Sequence, residues 1–459
     1  MNTDTWLQRL HRHMDTRSKR IQLIRFRKRK DFDQCLAALK QLHARWPKLR
    51  SIETFPFICT LRCSLRTTAG LHDPKLLFEP DLKISIHAYT PVSDLHKGMK
   101  STPPRIPWGV RQIGAPKLWK STRGEGIRIS VIDTGIDPSH PDLKDRILGG
   151  INVLQSFVPP NDDNGHGTHI AGTIAASGGS QGMTGVAPAA SLFAVKSFDR
   201  HGSAYLSDIV KGIEWSVHNK MDIINMSFGM TDTSPALREA VKQAVHAGII
   251  VCASSGNDGK TGIIDYPAQY KDTIAVGATE KGRYIASFSN RGERIDIYAP
   301  GERIVSTWPK GRYEILSGTS MATSHVTGLI ALLMASRRKG VRPTTVRRML
   351  RHTAKTVRSR TEGRAGDGEI DGPAALQYLL EQSNKRSQRM KRRTRPRERK
   401  QARPKTGLNG SKAAVSAMKM AATFSQGRTR RRDAAHSARR LAQPLTMQAA
   451  RVSRRRPQS

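Results

Sequence analysis

Residues 318–334 read Gly-Thr-Ser-Met-Ala-Thr-Ser-His-Val-Thr-Gly-Leu-Ile-Ala-Leu-Leu-Met. Ser320 follows a small flexible turn, and the apolar run after it is too long for a strand and suits a buried helix. We therefore expect Ser320 at a helix N-terminus, where free N–H groups and the helix dipole favour negative charge. A serine in that position is most often a simple helix cap, so a functional role needs further signals.

Two other glycine-rich segments supply such signals. In Ile129–Asp137 a β-type run ends in Asp133 and a glycine turn, and in Asn164–Thr173 a glycine-flanked His166 opens an apolar helix. Each has an ordinary explanation alone, because an aspartate at a strand end commonly stabilises a turn and a lone histidine is usually structural. An Asp, a His and a Ser in this order, each in a glycine-rich setting, are a far more specific signal for a serine nucleophile with its base.

These three segments resemble those of the subtilisin-like serine proteases, and the resemblance covers roughly residues 101–381. It implies a serine endopeptidase whose triad is Asp133, His166 and Ser320. His166 would take the Ser320 proton and return it to the leaving amine, while Asp133 would hold the imidazole. His169 is the rival base, with packing or a backbone hydrogen bond as its alternative role. In the family the first histidine of the His-Gly-Thr-His segment is the catalytic one.

The resemblance also implies which groups meet the substrate. Asn257 resembles the family's oxyanion asparagine, with the Ser320 N–H as the second donor; the alternative for Asn257 is a turn asparagine. Ser227, Phe228 and Gly229 resemble the family's substrate-binding strand. Extended peptides add to such an edge by main-chain hydrogen bonds, so an unfolded or loop segment is the expected substrate.

Asp265 corresponds to a family position near the base of the primary specificity pocket. An acid there can pair with a basic side chain at the cleavage site. The alternative is a surface acid that pairs with Lys260 or Lys271. If Asp265 faces the pocket, cleavage should favour Lys or Arg, and Lys97 or Lys100 would then precede the cut that releases the mature chain.

The middle of the chain alternates short β-like runs with helical patterns, which predicts an α/β fold with a parallel sheet and helices on both faces. The β-like runs include residues 192–195, 222–226, 249–251 and 274–276, and the helical patterns cover 206–219, 236–247, 343–357 and 369–382. Catalytic groups then belong in the loops at the carboxyl ends of the strands, as Asp133 does.

The first hundred residues form a unit of their own. The pattern predicts a strand at 21–27, an amphipathic helix at 31–45, a strand or hairpin at 51–65, a last strand at 80–87 and a linker at 88–106. This is a small α+β domain. Its position implies a pro-region that assists folding, inhibits the enzyme within the same chain and is removed by self-cleavage. The alternative is an unrelated N-terminal domain.

Charge divides the chain further. The 459 residues carry a net charge of +41, and the part after Ser383 holds 24 Lys and Arg against two acids. We therefore divide the chain into a pro-region with its linker (1–100), a catalytic domain (101–383) and a disordered basic tail (384–459). The tail can bind nucleic acid or another polyanion without specificity, or it is a solvated extension. A polyanion-binding protein that uses a protease fold as scaffold is the second functional hypothesis.

The four cysteines form no disulfide framework of the kind that small secreted proteins have. The segment Met1–Lys30 shows no signal peptide, and no apolar run reaches the length of a membrane span. We expect a cytoplasmic protein without a membrane span; the alternative is export by a route that the sequence does not reveal.

Two departures from the family pattern concern a metal and a helix. The chemistry requires no cofactor. Asp142 matches one ligand of the family's calcium site, but the loop 177–182 lacks the expected asparagine, and one carboxylate is weak evidence for a hard cation. Ser324 replaces the family's usual proline in the first turn of a helix, where proline is tolerated but not needed. We expect a small local change and retained activity.

Overall fold

The computed structural model of the protein describes residues 2–87, 90–91, 103–179, 181–337, 341–360 and 368–382. The N-terminal region, residues 2–87, begins with a helix that the sequence pattern did not lead us to predict, α1 (Thr3–His13). The Asn2 side chain caps it by accepting a hydrogen bond from a backbone N–H of the first turn at 3.2 Å. Trp6, Leu7 and Leu10 form its buried face.

A four-stranded sheet completes the N-terminal region. The elements after α1 are β1 (Ile21–Phe26), α2 (Arg29–Leu42), β2 (Glu53–Phe55), β3 (Thr60–Ser64), β4 (Leu76–Pro80) and β5 (Lys83–Ile86), followed by β6 (Thr90–Pro91). The sheet has the order β2-β3-β1-β4, and its neighbouring strands are antiparallel. An apolar cluster drawn from this sheet and both helices, which includes Phe26, Phe32 and Leu61, is a core of its own. The predicted small α+β unit is thus present.

The larger region consists of the described residues from 103 to 382. Its first half contains α3 (Trp108–Gln112), α4 (Ala115–Leu118), β7 (Arg128–Asp133), β8 (Ile147–Asn152), α5 (His166–Ala175), β9 (Ser191–Lys196), β10 (Ser203–Tyr205) and α6 (Leu206–His218). Its second half contains β11 (Ile223–Met226), β12 (Phe228–Gly229), α7 (Pro235–His246), β13 (Ile250–Ser254), β14 (Ile274–Thr279), β15 (Ile297–Pro300), β16 (Ile304–Trp308), β17 (Arg312–Ser317), α8 (Thr319–Ala335), α9 (Pro343–Thr353) and α10 over residues 372–382.

Seven of these strands form one sheet, in the order β15-β14-β13-β11-β7-β9-β8, and every neighbouring pair in it is parallel. Ile129 and Val131 of β7 join an apolar cluster with residues of α5 and α8, whereas Ile132 joins a second cluster with residues of α6 and α7. Because successive side chains of a strand point to opposite faces, these helix pairs cover opposite faces of the sheet. The predicted α/β architecture is confirmed.

The carboxyl ends of three adjacent strands carry the polar groups of interest. Asp133 ends β7, Ser227 directly follows β11, and Ser254 ends β13. These strands lie next to one another, in the order β13-β11-β7. Polar groups far apart in sequence therefore meet at one edge of the sheet, as expected for a parallel α/β fold.

The N-terminal region attaches to the larger region mainly through β5, which lies between β10 and β12 and is antiparallel to both. Just before it, two carboxylates meet the starts of helices. Glu79 accepts a hydrogen bond from the Ala236 N–H of α7 at 2.8 Å, and Asp81 accepts one from the Ser207 N–H of α6 at 2.9 Å. Both interactions satisfy N–H groups that a helix start leaves open and suit the helix dipole.

Within the described ranges, no helix has the length and apolar character needed to cross a membrane. The four cysteines are unpaired, and Cys35, Cys63 and Cys252 are buried. Burial raises the pKa of each of these three thiols to about 12, which suits small apolar core residues rather than reactive thiolates.

Candidate active site

Asp133 and His166 meet at the junction of β7 and α5. His166 Nδ1 lies 2.8 Å from Asp133 Oδ1, and both side chains are 0% exposed. The glycine after the histidine makes this approach possible, because a Cβ on Gly167 would lie 2.1 Å from the Gly135 carbonyl oxygen. The short turn after β7 and the first turn of α5 can therefore pack backbone against backbone, which brings the carboxylate to the ring.

Ser320 is the second residue of α8, the helix that packs against α5. Its Oγ donates a hydrogen bond to the Ser227 carbonyl oxygen at 3.0 Å. The expected position of Ser320 at a helix N-terminus is confirmed. The arrangement combines a serine at the positive end of a helix with a buried Asp–His pair at the start of the neighbouring helix.

Asn257 lies in the loop after β13, and its side chain is fixed by the start of α8. Its Oδ1 accepts hydrogen bonds from the Thr319 N–H at 2.9 Å and from the Thr319 hydroxyl at 2.7 Å. Since Oδ1 faces Thr319, the amide nitrogen takes the other direction and lies close to Gly318, where an added Cβ would come within 3.1 Å of it. The asparagine is thus oriented by the residue next to Ser320.

Ser227, Phe228 and Gly229 form the edge on which β5 lies. Phe228 pairs with Ile86 and Gly229 with Ser85, while the Phe228 side chain belongs to the apolar core. This segment therefore presents its backbone, not its side chains, to an extended chain. Pairing by main-chain hydrogen bonds is suited to peptides of many sequences.

Asp265 is a buried residue, with 6% exposure. The surface-acid alternative is therefore wrong: Lys260 pairs with Asp258 at 3.0 Å, and Asp265 Oδ2 lies 2.9 Å from His87 Nε2. Asp265 lies directly behind Gly229, where an added Cβ would be 2.7 Å from its own Cβ. Asp265 is thus packed against the segment that pairs with β5.

Two further histidines near the site have structural positions. His169 Nε2 bonds to the Ile304 carbonyl oxygen at 3.1 Å, and His325 Nδ1 bonds to the Met321 carbonyl oxygen at 2.8 Å. Burial lowers the pKa of His169 to about 3 and that of His325 to about 4. Both rings are therefore neutral at ordinary pH, and His169 is buried and makes the backbone hydrogen bond given above as its alternative role.

Ser324, the departure from the family's proline, fits its helix. It is buried, and its hydroxyl donates to the Ser320 carbonyl oxygen at 2.9 Å. This i to i−4 bond is a common way for a serine to be accommodated within a helix. It leaves the Ser320 hydroxyl, which bonds to Ser227, unaffected.

The residues around Asp142 do not fit a calcium site. Its Oδ2 accepts hydrogen bonds from the Met183 N–H at 2.9 Å and the Tyr313 hydroxyl at 2.8 Å. Hard cations need several oxygen ligands, whereas this carboxylate is engaged by donors. Among the residues that the structure describes, no group of three or more His, Cys, Asp or Glu side chains can hold a metal ion.

The sequence analysis missed His87 and Ser254. His87 ends the strand predicted at 80–87, and its Nδ1 lies 2.9 Å from Ser254 Oγ. Asp265, which the sequence analysis expects near a pocket, indicates a cationic or hydrogen-bonding partner. Nothing in the sequence identifies His87 as that partner. Lys97, Lys100 and the basic tail lie outside the described residues.

Comparisons with known proteins identify the family. The sequence profile of the Subtilase family matches residues 124–379. Subtilisin E of Bacillus subtilis (strain 168) is 48% identical over 235 residues, which cover 50% of this chain and 61% of that protein. The intracellular serine protease of Paenibacillus polymyxa is 46% identical over 236 residues, 50% of this chain and 72% of the relative. Subtilisin of Bacillus pumilus is 47% identical over 235 residues, 50% of this chain and 85% of the relative. The match thus spans less than two thirds of subtilisin E. The chain belongs to the subtilase family of serine endopeptidases.

Proposed function

We propose that this chain hydrolyses peptide bonds through Asp133, His166, Ser320 and Asn257, and that it is made as a precursor that cuts itself. The observation that carries the proposal is the 2.8 Å hydrogen bond between the buried side chains of Asp133 and His166. His166 begins α5, and α5 packs against α8, the helix that contains Ser320. Residues 101–383 are the proposed catalytic domain.

In the proposed reaction Ser320 Oγ attacks the carbonyl carbon of the scissile bond while His166 takes its proton. His166 then gives this proton to the leaving amine, the C–N bond breaks, and an ester remains on Ser320. Water hydrolyses the ester with the same histidine as base. Asp133 fixes the ring and stabilises the imidazolium. The family's chemistry needs no cofactor, and these steps use only side chains and water.

The negative oxygen of the tetrahedral intermediate needs donors at a fixed position. The Asn257 amide and the Ser320 N–H are the proposed pair. The contacts of Asn257 Oδ1 with Thr319 support this role, because they orient the amide before the charge develops. Donors that are oriented in advance stabilise the transition state without reorganisation.

The proposed substrate is an extended peptide that lies between β10 and β12, along Ser227, Phe228 and Gly229. β5 of the same chain occupies this position. This arrangement supports the N-terminal region as an intramolecular inhibitor, since a substrate and β5 would compete for the same backbone groups. Release of the N-terminal region would then be required for activity on other proteins.

Asp265 is the proposed determinant of a preference for basic residues before the cut. Its burial supports this role, because a carboxylate removed from water interacts strongly with a cation or a charged donor. Histidine, lysine and arginine are the side chains that offer such donors.

The test compares three full-length proteins: wild type, Ser320→Ala, and Ser336→Ala as a serine control near the other end of α8. Intact mass and hydrolysis of an unfolded protein are measured. We expect wild type and Ser336→Ala to lose their N-terminal region and to hydrolyse the substrate, and Ser320→Ala to do neither. Self-processing or hydrolysis by purified Ser320→Ala at the wild-type rate would refute the proposal.

The second hypothesis is that the basic tail, residues 384–459, binds polyanions. It rests on the charge of the tail alone. Its test uses the Ser320→Ala protein on immobilised heparin with and without the tail. Binding by clustered Lys and Arg should weaken steeply with salt and disappear with the tail. If the protein without the tail still bound heparin, and salt did not weaken that binding, the polyanion hypothesis would be wrong.

A cytoplasmic location is likewise a proposal from sequence. The relatives include proteins named as intracellular proteases and others named as subtilisins. Fractionation of the source cells with an antibody against the catalytic domain, beside a cytoplasmic marker, tests the location directly.

A further inference from the structure

We propose that the enzyme cuts its own chain at the peptide bond on the carboxyl side of His87, and that Asp265 selects this bond by holding the His87 imidazole. The inference rests on the self-processing proposed above and specifies its site. It differs from cleavage after Lys97 or Lys100, which the sequence had favoured.

The course of the chain supports this site. In the antiparallel pairing, Ser85 lies opposite Gly229 and Ile86 opposite Phe228. The same register brings His87 level with Ser227, whose carbonyl oxygen accepts the hydrogen bond from Ser320 Oγ.

The second described segment, β6, pairs with β17, the strand that leads into α8. Thr90 pairs with Ser317 and Pro91 with Leu316, and Ser317 is three residues before the nucleophile. β5 and β6 therefore pair with two segments that both adjoin Ser320.

The side chain of His87 is buried against Asp265 and Ser254. Its Nε2 lies 2.9 Å from Asp265 Oδ2 and its Nδ1 lies 2.9 Å from Ser254 Oγ. The ring is 8% exposed, and a Cβ on Gly229 would come within 2.3 Å of Nε2. A side chain with hydrogen-bonding groups on both ring nitrogens is thus held from two sides.

The chemistry of the pocket favours a donor with positive charge. Asp265 Oδ1 is buried and has no hydrogen-bond partner among the described residues. An imidazolium or a guanidinium can satisfy this carboxylate, and a carboxylate in the place of His87 would be repelled. Arginine, which can contact both oxygens of Asp265, is therefore an acceptable replacement for the histidine, and aspartate is not.

The self-cleavage follows the mechanism given above. Ser320 Oγ bonds to the carbonyl carbon of His87, the bond from that carbon to the Ala88 nitrogen breaks, and the Ser320 proton passes through His166 to the new amine. Water then hydrolyses the ester. The products are an N-terminal fragment that ends in the His87 carboxylate and a chain that begins at Ala88.

The experiment follows full-length wild type, His87→Asp, His87→Arg and Asp265→Asn over time, with intact mass and N-terminal sequencing of the earliest product. His72→Asp is the control, because His72 is exposed in the same N-terminal region. We expect wild type, His87→Arg and His72→Asp to give a first product beginning at residue 88. Formation of this product should slow by about tenfold or more in both His87→Asp and Asp265→Asn. His87→Asp removes the donor and places a second carboxylate beside Asp265, and Asp265→Asn removes the negative charge of the acceptor.

Three results would overturn the inference, and they separate it from the proposed function. A first wild-type product that begins at residue 98 or 101 refutes the site and leaves self-processing intact. A first product at residue 88 that forms equally fast in His87→Asp refutes selection by Asp265. Wild type that stays full length beside Ser320→Ala refutes this inference and the self-processing together. His87→Arg guards against misfolding as the cause of a slow variant, because it also replaces the buried ring but keeps an N–H donor for Asp265.

Discussion

The larger region and the N-terminal region are held in different ways. In the larger region, Asp133 and His166 are fully buried at the ends of elements that two apolar clusters position from both faces of the sheet. The N-terminal region has its own apolar core. It meets the larger region through β5, the contacts of His87, two carboxylates at helix starts, ion pairs such as Arg25–Glu239 at 2.7 Å and apolar side chains such as those in the shared cluster. The geometry of the Asp133–His166 pair thus depends on a packed core, whereas the proposed release of the N-terminal region depends on contacts between two surfaces.

If this contrast holds, the largest loss of activity should come from replacing one side-chain atom inside the larger region. Asp133→Asn replaces the oxygen that accepts from His166 Nδ1 by a group that can stabilise the wrong tautomer. We expect kcat to fall by about 10⁴ while KM changes little, as is typical when the carboxylate of such a triad is neutralised. Steady-state kinetics on a peptide substrate measure both constants.

The control for this change is Asp145→Asn, which neutralises an exposed acid of the same region. It should keep the wild-type kcat. A loss of less than about tenfold in Asp133→Asn would mean that His166 is oriented by other contacts, and the role proposed for Asp133 would be wrong.

Asn257→Ala is the next largest expected effect. It removes the proposed oxyanion donor and the acceptor for Thr319, so kcat should fall by about 10²–10³, the range typical of such donors. Asn219→Ala is the matched control, because Asn219 lies at the end of α6, opposite the site, and bonds to the Trp215 carbonyl oxygen. If KM rather than kcat changed, Asn257 would act in substrate binding instead.

The sequence was sufficient wherever a local pattern carries the information. The β-type run of β7 and the glycines beside His166 determine where Asp133 and His166 lie, and both features are contained in a few consecutive residues. α1 also had a local signal in Asn2, Trp6 and Leu10, but the charge of the segment obscured it.

Contacts between distant segments could not be predicted in this way. His87 and Asp265 are 178 residues apart, and their contact depends on how two separately folded regions meet. Neighbours along the chain are therefore a poor guide to the partner of Asp265: Lys260 and Lys271 are near it in sequence, whereas burial removes Asp265 from the surface.

Acid should weaken the core of the larger region. Burial lowers the pKa of His169 to about 3 and of His325 to about 4, against 6.5 when unfolded. The unfolded chain therefore binds protons that the folded chain does not, so this stability is complete above pH 6.5 and is lost as the pH falls toward the folded pKa. When the pH falls from about 8 to about 5, each of the two rings should lower the free energy of unfolding by about 2 kcal/mol.

Urea unfolding of the full-length Ser320→Ala protein at these two pH values measures the loss. Adding His325→Gln, which does not titrate, should remove about half of the part due to the two rings. The exposed His201→Gln is the control and should leave the pH dependence unchanged. An identical pH dependence in all three proteins would show that these buried rings do not control acid stability.

Glu79→Gln is the smallest expected effect and tests the attachment itself. Glu79 accepts hydrogen bonds from the Ser234 hydroxyl at 2.7 Å and from the Ala236 N–H at 2.8 Å. Both partners belong to the larger region, and Ser234 still caps α7 through the Leu237 N–H without Glu79. The substitution should therefore weaken the attachment by about 1–2 kcal/mol and leave the helix intact.

The readout is the delay between self-cleavage and the appearance of hydrolysis, followed in one sample by mass and by a fluorogenic peptide. The cleaved N-terminal region should leave about tenfold sooner in Glu79→Gln. Asp73→Asn is the control, because Asp73 is bonded only to its own turn, through the Lys75 N–H at 2.8 Å, among the hydrogen bonds described. An unchanged delay in Glu79→Gln would mean that strand pairing and apolar contacts hold the fragment. The N-terminal region would then resemble the larger region in how it is held, and the contrast between the two would fail.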